Sequence, residues 1–348
     1  MPISTRKEVA KLAGVSEATV SRVLNGVGPI REETRRKVLE AAERLSYHPS
    51  AIARSFARRR SGNIGVVLPH VPKVHLFSTY YFSEVLSGIG EAVREAGYDL
   101  LLLFRAIDET PDYPLYYQTQ KIDGCLLLGT MDTAREREAL DRLAEQDLPF
   151  CLVNQHFYGK PYPSVDADHI RGAASAVRHL LELGVRRVAF VNGPAAYSSS
   201  GERLRGYRQA LTEAGITFDP GLVLEGNYSR TSGVRAGNEL LRRRGGYDAV
   251  FAANDRMAIG VMQAFKAAGV EAGRELPIAG YDDSDASRLS DPPLTTVKVP
   301  FYEMGRLAAE RVIRRLSGDG AREETTGESR LLLPTELIVR QSTSNWGG

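Results

Sequence analysis

Glu8-Val9-Ala10-Lys11-Leu12-Ala13-Gly14-Val15-Ser16-Glu17-Ala18-Thr19-Val20-Ser21-Arg22-Val23-Leu24-Asn25-Gly26 reads as two short amphipathic helices joined at a glycine. Just before it, Thr5-Arg6-Lys7-Glu8 has the Thr-x-x-Glu form of a capping box, in which a hydroxyl and a carboxylate satisfy each other's backbone amides and open a helix. Val9, Leu12 and Ala13 fall on one face of that helix, and Gly14 breaks the pattern as a tight turn requires. Ser16 is an N-cap for the second helix, which turns Val20, Val23 and Leu24 inward. The other side of this helix carries Glu17, Ala18, Ser21, Arg22 and Asn25. A third helix from about Glu32 to Leu45 places Val38, Leu39, Ala42 and Leu45 inside. Arg31 precedes it where a hydroxyl residue would cap; the lost cap is worth ~1 kcal/mol, partly offset by Glu32 and Glu33 at the positive helix end. Two short helices about a glycine turn, with a third to complete the core, make a helix-turn-helix domain. Short polar side chains let the second helix approach base edges, and Arg22 carries the fork that pairs bidentately with guanine.

Charge follows the same division. Residues 1–60 hold 13 Lys and Arg against 6 Asp and Glu, whereas the whole 348-residue chain is only +2. A small basic head on an acidic body points to nucleic acid as the head's partner. Tyr47-His48-Pro49-Ser50 ends the head, and residues 50–57 can form a short helix before Arg58-Arg59-Arg60 and a Ser61-Gly62-Asn63 break.

From residue 64 onward, β-rich runs at 64–68, 100–104, 124–128, 150–153, 188–191, 249–253 and 277–280 alternate with helical stretches such as 82–96, 134–145, 172–183 and 203–214. That alternation predicts parallel sheets built from βαβ units. In such sheets ligands bind beyond the carboxyl ends of the strands. Tyr228 follows one strand-like run and offers an aromatic face of the kind that stacks on a sugar ring.

The composition, 43% hydrophobic and 25% charged, is that of a globular protein. No apolar run approaches the roughly 18 residues of a membrane span, and no signal-peptide stretch follows Met1. Cys125 and Cys151 lie inside apolar runs, which argues for buried thiols in a reducing compartment, the cytosol. No nucleotide-binding glycine loop, nucleophile elbow or zinc-protease motif is present, and the six histidines lack metal-ligand spacing. Asp282-Asp283 shows no acid/base division. Neither catalytic residues nor a metal or cofactor is expected.

Residues 8–26 resemble the signature of the lactose-repressor/galactose-repressor (LacI/GalR) family, and the resemblance extends over essentially the whole chain. It implies an α/β protein: an all-α N-terminal helix-turn-helix domain and a periplasmic-binding-protein-like body of two parallel-sheet subdomains. The expected divisions are 1–46 for the head, 47–62 for a hinge helix and linker, and 63–348 for the body. Within the body, about 63–163 and 292–322 form the N-subdomain, and about 164–291 and 323–348 the C-subdomain. The resemblance implies that Glu17, Ala18 and Arg22 read bases and that Ser16, Thr19, Ser21 and Asn25 hold the DNA backbone, with Thr5 also at the DNA. It further implies a hinge helix in the minor groove, contributed by Ala53 and by Phe56 where the family usually has leucine; Phe keeps an apolar wedge.

For the effector, Ser164-Val165-Asp166-Ala167-Asp168-His169 resembles the family's Ser-Val-x-x-Asp-Asn segment, with His169 departing from Asn. Gly201-Glu202-Arg203-Leu204-Arg205-Gly206-Tyr207 resembles the motif whose first arginine binds effector, here Arg203. Ala252-Ala253-Asn254-Asp255 and Gly280-Tyr281-Asp282-Asp283 bring Asn254 and Asp282 to the implied pocket, with Asp168 and Tyr228. Tyr81 and Phe82 match the family's aromatic pair, although the segment before them, 71–80, is longer than the family's. The implied protein is a cytoplasmic, nucleoid-associated homodimer on palindromic operator DNA, a repressor of carbohydrate-utilisation genes controlled by a sugar. The alternatives are a sugar-binding protein, which would have no use for residues 1–60, and a sugar-acting enzyme.

Overall fold

The structure is a computed structural model that describes residues 4–25, 28–47, 60–70, 76–106, 108–318, 329–344 and 346. The head contains α1 (Arg6–Ala13), α2 (Glu17–Asn25) and α3 (Glu32–Arg44). The capping box forms as read: Thr5 accepts from the Glu8 amide, and Glu8 Oε2 accepts from the Thr5 amide at 2.7 Å. Gly14 ends α1 at φ 66°, a left-handed conformation that side-chain-bearing residues rarely adopt. Arg31 makes no capping hydrogen bond.

Val9, Ala10, Val20, Val23, Val38, Ala41 and Ala42 form the head's core. Two expected core residues stand outside it, Leu12 (47% exposed) and Leu39 (49%). Val38, Ala41, Ala42 and Leu45 make one stripe at i, i+3, i+4 and i+7, and Leu39 lies about 100° around the helix from Val38. On α1 the buried stripe is likewise Val9, Ala10 and the partly covered Ala13, which leaves Leu12 to its side.

The body starts with β1 (Asn63–His70), α4 (Tyr80–Glu95), β2 (Asp99–Ala106), α5 (Tyr113–Gln118), β3 (Gly124–Leu128), α6 (Ala134–Glu145), β4 (Phe150–Val153) and β5 (Ser164–Ala167). The second lobe follows with α7 (His169–Glu182), β6 (Val188–Asn192), α8 (Ser198–Glu213), β7 (Val223–Glu225), α9 (Arg230–Arg242), β8 (Ala249–Ala252), α10 (Asp255–Ala267), β9 (Ile278–Ala279), α11 (Asp285–Leu289) and β10 (Thr296–Lys298). The chain then returns for α12 (Phe301–Ser317) and β11 (Arg330–Leu333), and ends in the second lobe with β12 (Glu336–Ile338) and α13 (Gln341–Ser344).

The first sheet has order β11-β5-β4-β3-β1-β2 and the second β7-β6-β8-β9, both parallel throughout. The small antiparallel pair β10–β12 continues the second lobe, with Asp282 bridged to Lys298. These pairings correct the expected subdomain limits. Ser164–Ala167 and Arg330–Leu333 pair with each other inside the first sheet, so both belong to the N-subdomain. Residues 292–298 stay with the second lobe, where Gly280 and Asp282 donate to the Thr295 and Val297 carbonyls. The chain therefore crosses between lobes near 168, 299 and 334. A β-rich run of four residues in the sequence does not say which sheet it joins, because hydrogen-bond partners are a tertiary choice.

Cys125 and Cys151 are free, buried thiols on β3 and β4; burial raises both, Cys151 to about 12. Among the described residues no helix is long and apolar enough to cross a membrane.

Candidate operator interface and effector cleft

On α2, Ser16, Glu17, Ala18 and Arg22 are exposed, while Thr19 and Ser21 are partly covered. Ser16 Oγ accepts from the Thr19 amide at 3.2 Å, which caps the helix at its start, and lies 3.0 Å from Thr19 Oγ1. Glu17 accepts from Arg6 Nε at 3.1 Å, which ties α1 to the front of α2. Half-exposed as it is, this pair contributes little to stability but holds Glu17 in place. Asn25 is the last residue of α2. The hinge candidates Ala53 and Phe56 lie outside the described residues.

In the body, Tyr228, Asn254 and Asp282 follow the carboxyl ends of β7, β8 and β9, and Arg203 sits in the first turns of α8 after β6. The structure draws these four together. Arg203 is 3% exposed, with its guanidinium 4.3 Å from the Tyr281 ring centroid and 5.9 Å from that of Tyr228. One of its terminal nitrogens donates to the Tyr228 hydroxyl at 3.2 Å, and among the described residues its Nε has no hydrogen-bond partner. Burial opposes its charge, yet Tyr228, Tyr281 and Asp282 together hold it protonated. Burial and the neighbouring Asp255 push the Asp282 carboxyl well above the usual range, against the pull of Arg203 and Arg256.

Asn254 caps α10: its Oδ1 accepts from the Met257 amide at 2.9 Å while its Nδ2 donates to the Tyr228 carbonyl at 3.1 Å. Tyr228 is further fixed by a 2.5 Å bond to Ser200 Oγ. Its ring lies directly on Gly193, where a Cβ would come within 2.1 Å of it; only glycine leaves that space. Tyr228 (φ 64°) and Asp282 (φ 115°) both hold backbone conformations costly for side-chain-bearing residues, each by roughly 1–3 kcal/mol, which their surroundings must impose.

The first-lobe candidates behave differently. Tyr81 donates to the Val153 carbonyl at 3.1 Å and packs edge-on against Phe82 (4.8 Å) and Phe301 (5.1 Å), forming an apolar wall. Asp168 accepts from the Arg171 amide at 2.9 Å as the N-cap of α7, at the crossing between lobes. His169 stands beside it, with Nε2 2.7 Å from Asn154 Oδ1 and Nδ1 3.2 Å from the Tyr281 hydroxyl. Burial, with Arg203, Arg330 and His156 nearby, drives its pKa well below the usual value, so the ring is neutral and bridges a first-lobe asparagine to the tyrosine under Arg203.

Residues 5–50 match the description "Bacterial regulatory proteins, lacI family", and residues 177–343 match "Periplasmic binding protein-like domain". The chain is 36% identical over 342 residues to the HTH-type transcriptional regulator CelR of Thermobifida fusca, covering 97% of this chain and 98% of that one. It belongs to the lacI family of bacterial regulatory proteins. A second relative in that family, the HTH-type transcriptional regulator DegA of Bacillus subtilis (strain 168), is 33% identical over 344 residues, 98% of each chain. Among solved structures, the lac repressor dimer bound to operator and the anti-inducer ONPF superposes with TM-score 0.83 at 27% identity, over 98% of this chain and 99% of that one. The CelR–cellobiose complex gives 0.73 at 34% identity, over 97% and 99%. As a lacI-family member, the chain is a DNA-binding transcription regulator and not an enzyme.

Sequence reading of this lacI-family chain overlooked three cleft residues. Phe301 closes the aromatic wall from α12, and Tyr281 carries the face on which Arg203 lies. His169, noted only as a departure from Asn, turns out to join the lobes. Its departure was the one available signal; Phe301 and Tyr281 look like ordinary core aromatics in the sequence.

Proposed function

We propose that this chain represses carbohydrate-utilisation genes as a homodimer on a palindromic operator, in the cytoplasm at the nucleoid, and that a neutral sugar in the cleft controls its grip. The observation that carries the reading is the grouping of Arg203, Asp282 and Tyr228. A buried cation with a spare N–H, a nearby carboxyl and an aromatic ring supply the donor, acceptor and stacking face that a vicinal diol on a sugar ring requires. The similar CelR structure holds cellobiose, and the similar lac repressor structure is a dimer on its operator. Exposed Leu289 (85%) and the edge-on pair Phe77–Phe104 offer apolar surface that a second copy would cover.

In this reading Glu17, Ala18 and Arg22 face base edges, Thr5, Ser16, Thr19, Ser21 and Asn25 hold the backbone, and Ala53 and Phe56 enter the minor groove. Tyr81, Phe82, Asp168 and Asn254 complete the cleft. A ligand alters operator affinity only through its differential affinity for two lobe arrangements.

The test has two arms. On an operator selected from random duplexes, Arg22→Ala should weaken binding by ~1–3 kcal/mol and relax one base position in each half-site, read by fluorescence anisotropy. Calorimetry with mono- and oligosaccharides should find a binder that shifts operator affinity. Wild-type selectivity in Arg22→Ala overturns the reading helix, and binding of purines or amino acids alone overturns the sugar.

A further inference from the structure

Glu202 precedes the pocket arginine on α8 and is 3% exposed, yet it points away from Arg203's aromatic surroundings and across to the first lobe. There it meets Arg330, the first residue of the edge strand β11. The Arg330 guanidinium grips both Glu202 oxygens, at 2.9 and 3.0 Å, while its Nε donates to Asp166 Oδ2 at 2.8 Å. Asp166 (1% exposed) sits on β5, on the same lobe as Arg330. Separating the lobes would therefore leave Arg330 with Asp166 and strip Glu202 of its partner.

His156, just after β4, stands on the same lobe as Arg330, so separating the lobes takes it away from Glu202 as well. Its Nδ1 is 3.6 Å from Asp166 and its Nε2 3.8 Å from Glu202, and among the described residues neither nitrogen has a hydrogen-bond partner. The bonds beside this cluster are neutral: the Ser198 amide donates to Gln155 Oε1 at 2.9 Å, the His156 amide to Ser198 Oγ at 3.1 Å, and the Asp132 amide to the Ala196 carbonyl at 2.8 Å. Neutral bonds of this kind exchange readily with water, whereas a buried carboxylate that loses a two-pronged guanidinium partner is left uncompensated.

We propose that Glu202 and Arg330 form a latch across the cleft that sets the balance between closed and open lobes. Because Glu202 and Arg203 are consecutive on α8, movement at the latch moves the ligand-contacting arginine with it, so the latch tunes how readily the effector shifts the lobes. The proposal rests on the cleft being the effector site, but the closure it describes belongs to the chain without ligand.

The experiment measures lobe separation in the full-length protein with no ligand added. Spin labels at Glu138→Cys on α6 and Gln209→Cys on α8 report the distance by pulsed electron resonance, both positions being exposed and both native cysteines buried. Glu202→Gln and Arg330→Met should each lower the closed-to-open ratio by about tenfold or more, and the double variant should open no further than either one alone. Arg330→Lys should recover part of the closure. Unchanged distances in both single variants, or additive opening in the double variant, overturn the latch. A lower melting temperature with no change in distance marks a merely structural pair and overturns it too. Failure of every sugar to bind would leave this measurement standing, so the two readings can fail separately.

Discussion

On α2, Glu17, Ala18 and Arg22 stand in solvent, positioned by a helix whose caps and core lie within the same short stretch of chain. In the cleft, Arg203 is almost wholly enclosed and is surrounded by residues that follow two different strands, β7 and β9. The reading surface thus contributes little to holding its own domain together. In the cleft, most candidate groups also support the fold: Asn254 and Asp168 cap helices, and Tyr228 is bonded to Ser200 as well as to Arg203. The contrast teaches that recognition by the head can vary one side chain at a time. Recognition in the cleft changes together with local structure.

The sharpest challenge to this comparison is Arg203→Ala. Truncating one member of a buried, hydrogen-bonded charge cluster costs about 2–5 kcal/mol, so sugar affinity should fall at least about thirtyfold while ligand-free operator binding persists. Calorimetry and anisotropy on the same preparation decide it; loss of both activities together would mean that the two regions are not separable.

The second prediction concerns pH and sharpens the cost of enclosure. Asp255 accepts from Thr296 Oγ1 (2.6 Å), the Ser284 amide (2.8 Å) and Ser284 Oγ (2.8 Å), yet burial, assisted by Asp283, raises its pKa to about 6. For a carboxyl raised on folding, the associated stability is fully present below the ordinary value of 3.8 and is lost as pH climbs through about 6. Relative to Asp255→Asn, whose side chain does not titrate, the wild-type body should lose stability as pH rises from about 4 to about 7.5. Urea melts of both proteins across that range give the difference directly. A flat difference would show that the hydrogen bonds fully compensate burial.

The smallest effect belongs to the head. Thr5→Ala removes one half of the capping box and should destabilise α1 by ~1 kcal/mol. Amide exchange in α1 should quicken about fivefold, with exchange in α8 and α10 unchanged. Altered protection in the body would show that the domains share stability and weaken the contrast drawn above.

Legibility in the sequence followed the same line. The capping box, the glycine turn and the polar face of α2 are contained in residues 5–25, and the structure forms them at those positions. Leu12 and Leu39 were misplaced because apolarity and approximate period do not choose between adjacent stripes; the packing of α1 against α3 does. In the body, the alternation of strands and helices showed parallel α/β architecture, while β5, β10, β11 and β12 are not among the runs that pattern marks.

By itself, then, the sequence determined the head, the alternating architecture of the body, and the residue types available at the strand ends, because caps, turns and periodicity act over a few neighbouring residues. Only the tertiary structure decided that Ser164–Ala167 and Arg330–Leu333 lie side by side in the first sheet. It alone placed Arg203 on Tyr281, set His169 between Asn154 and Tyr281, and brought Glu202 to Arg330 across 128 residues of chain. Each of these joins groups distant in sequence whose burial depends on how the lobes and sheets meet, and no local pattern of side chains encodes that meeting.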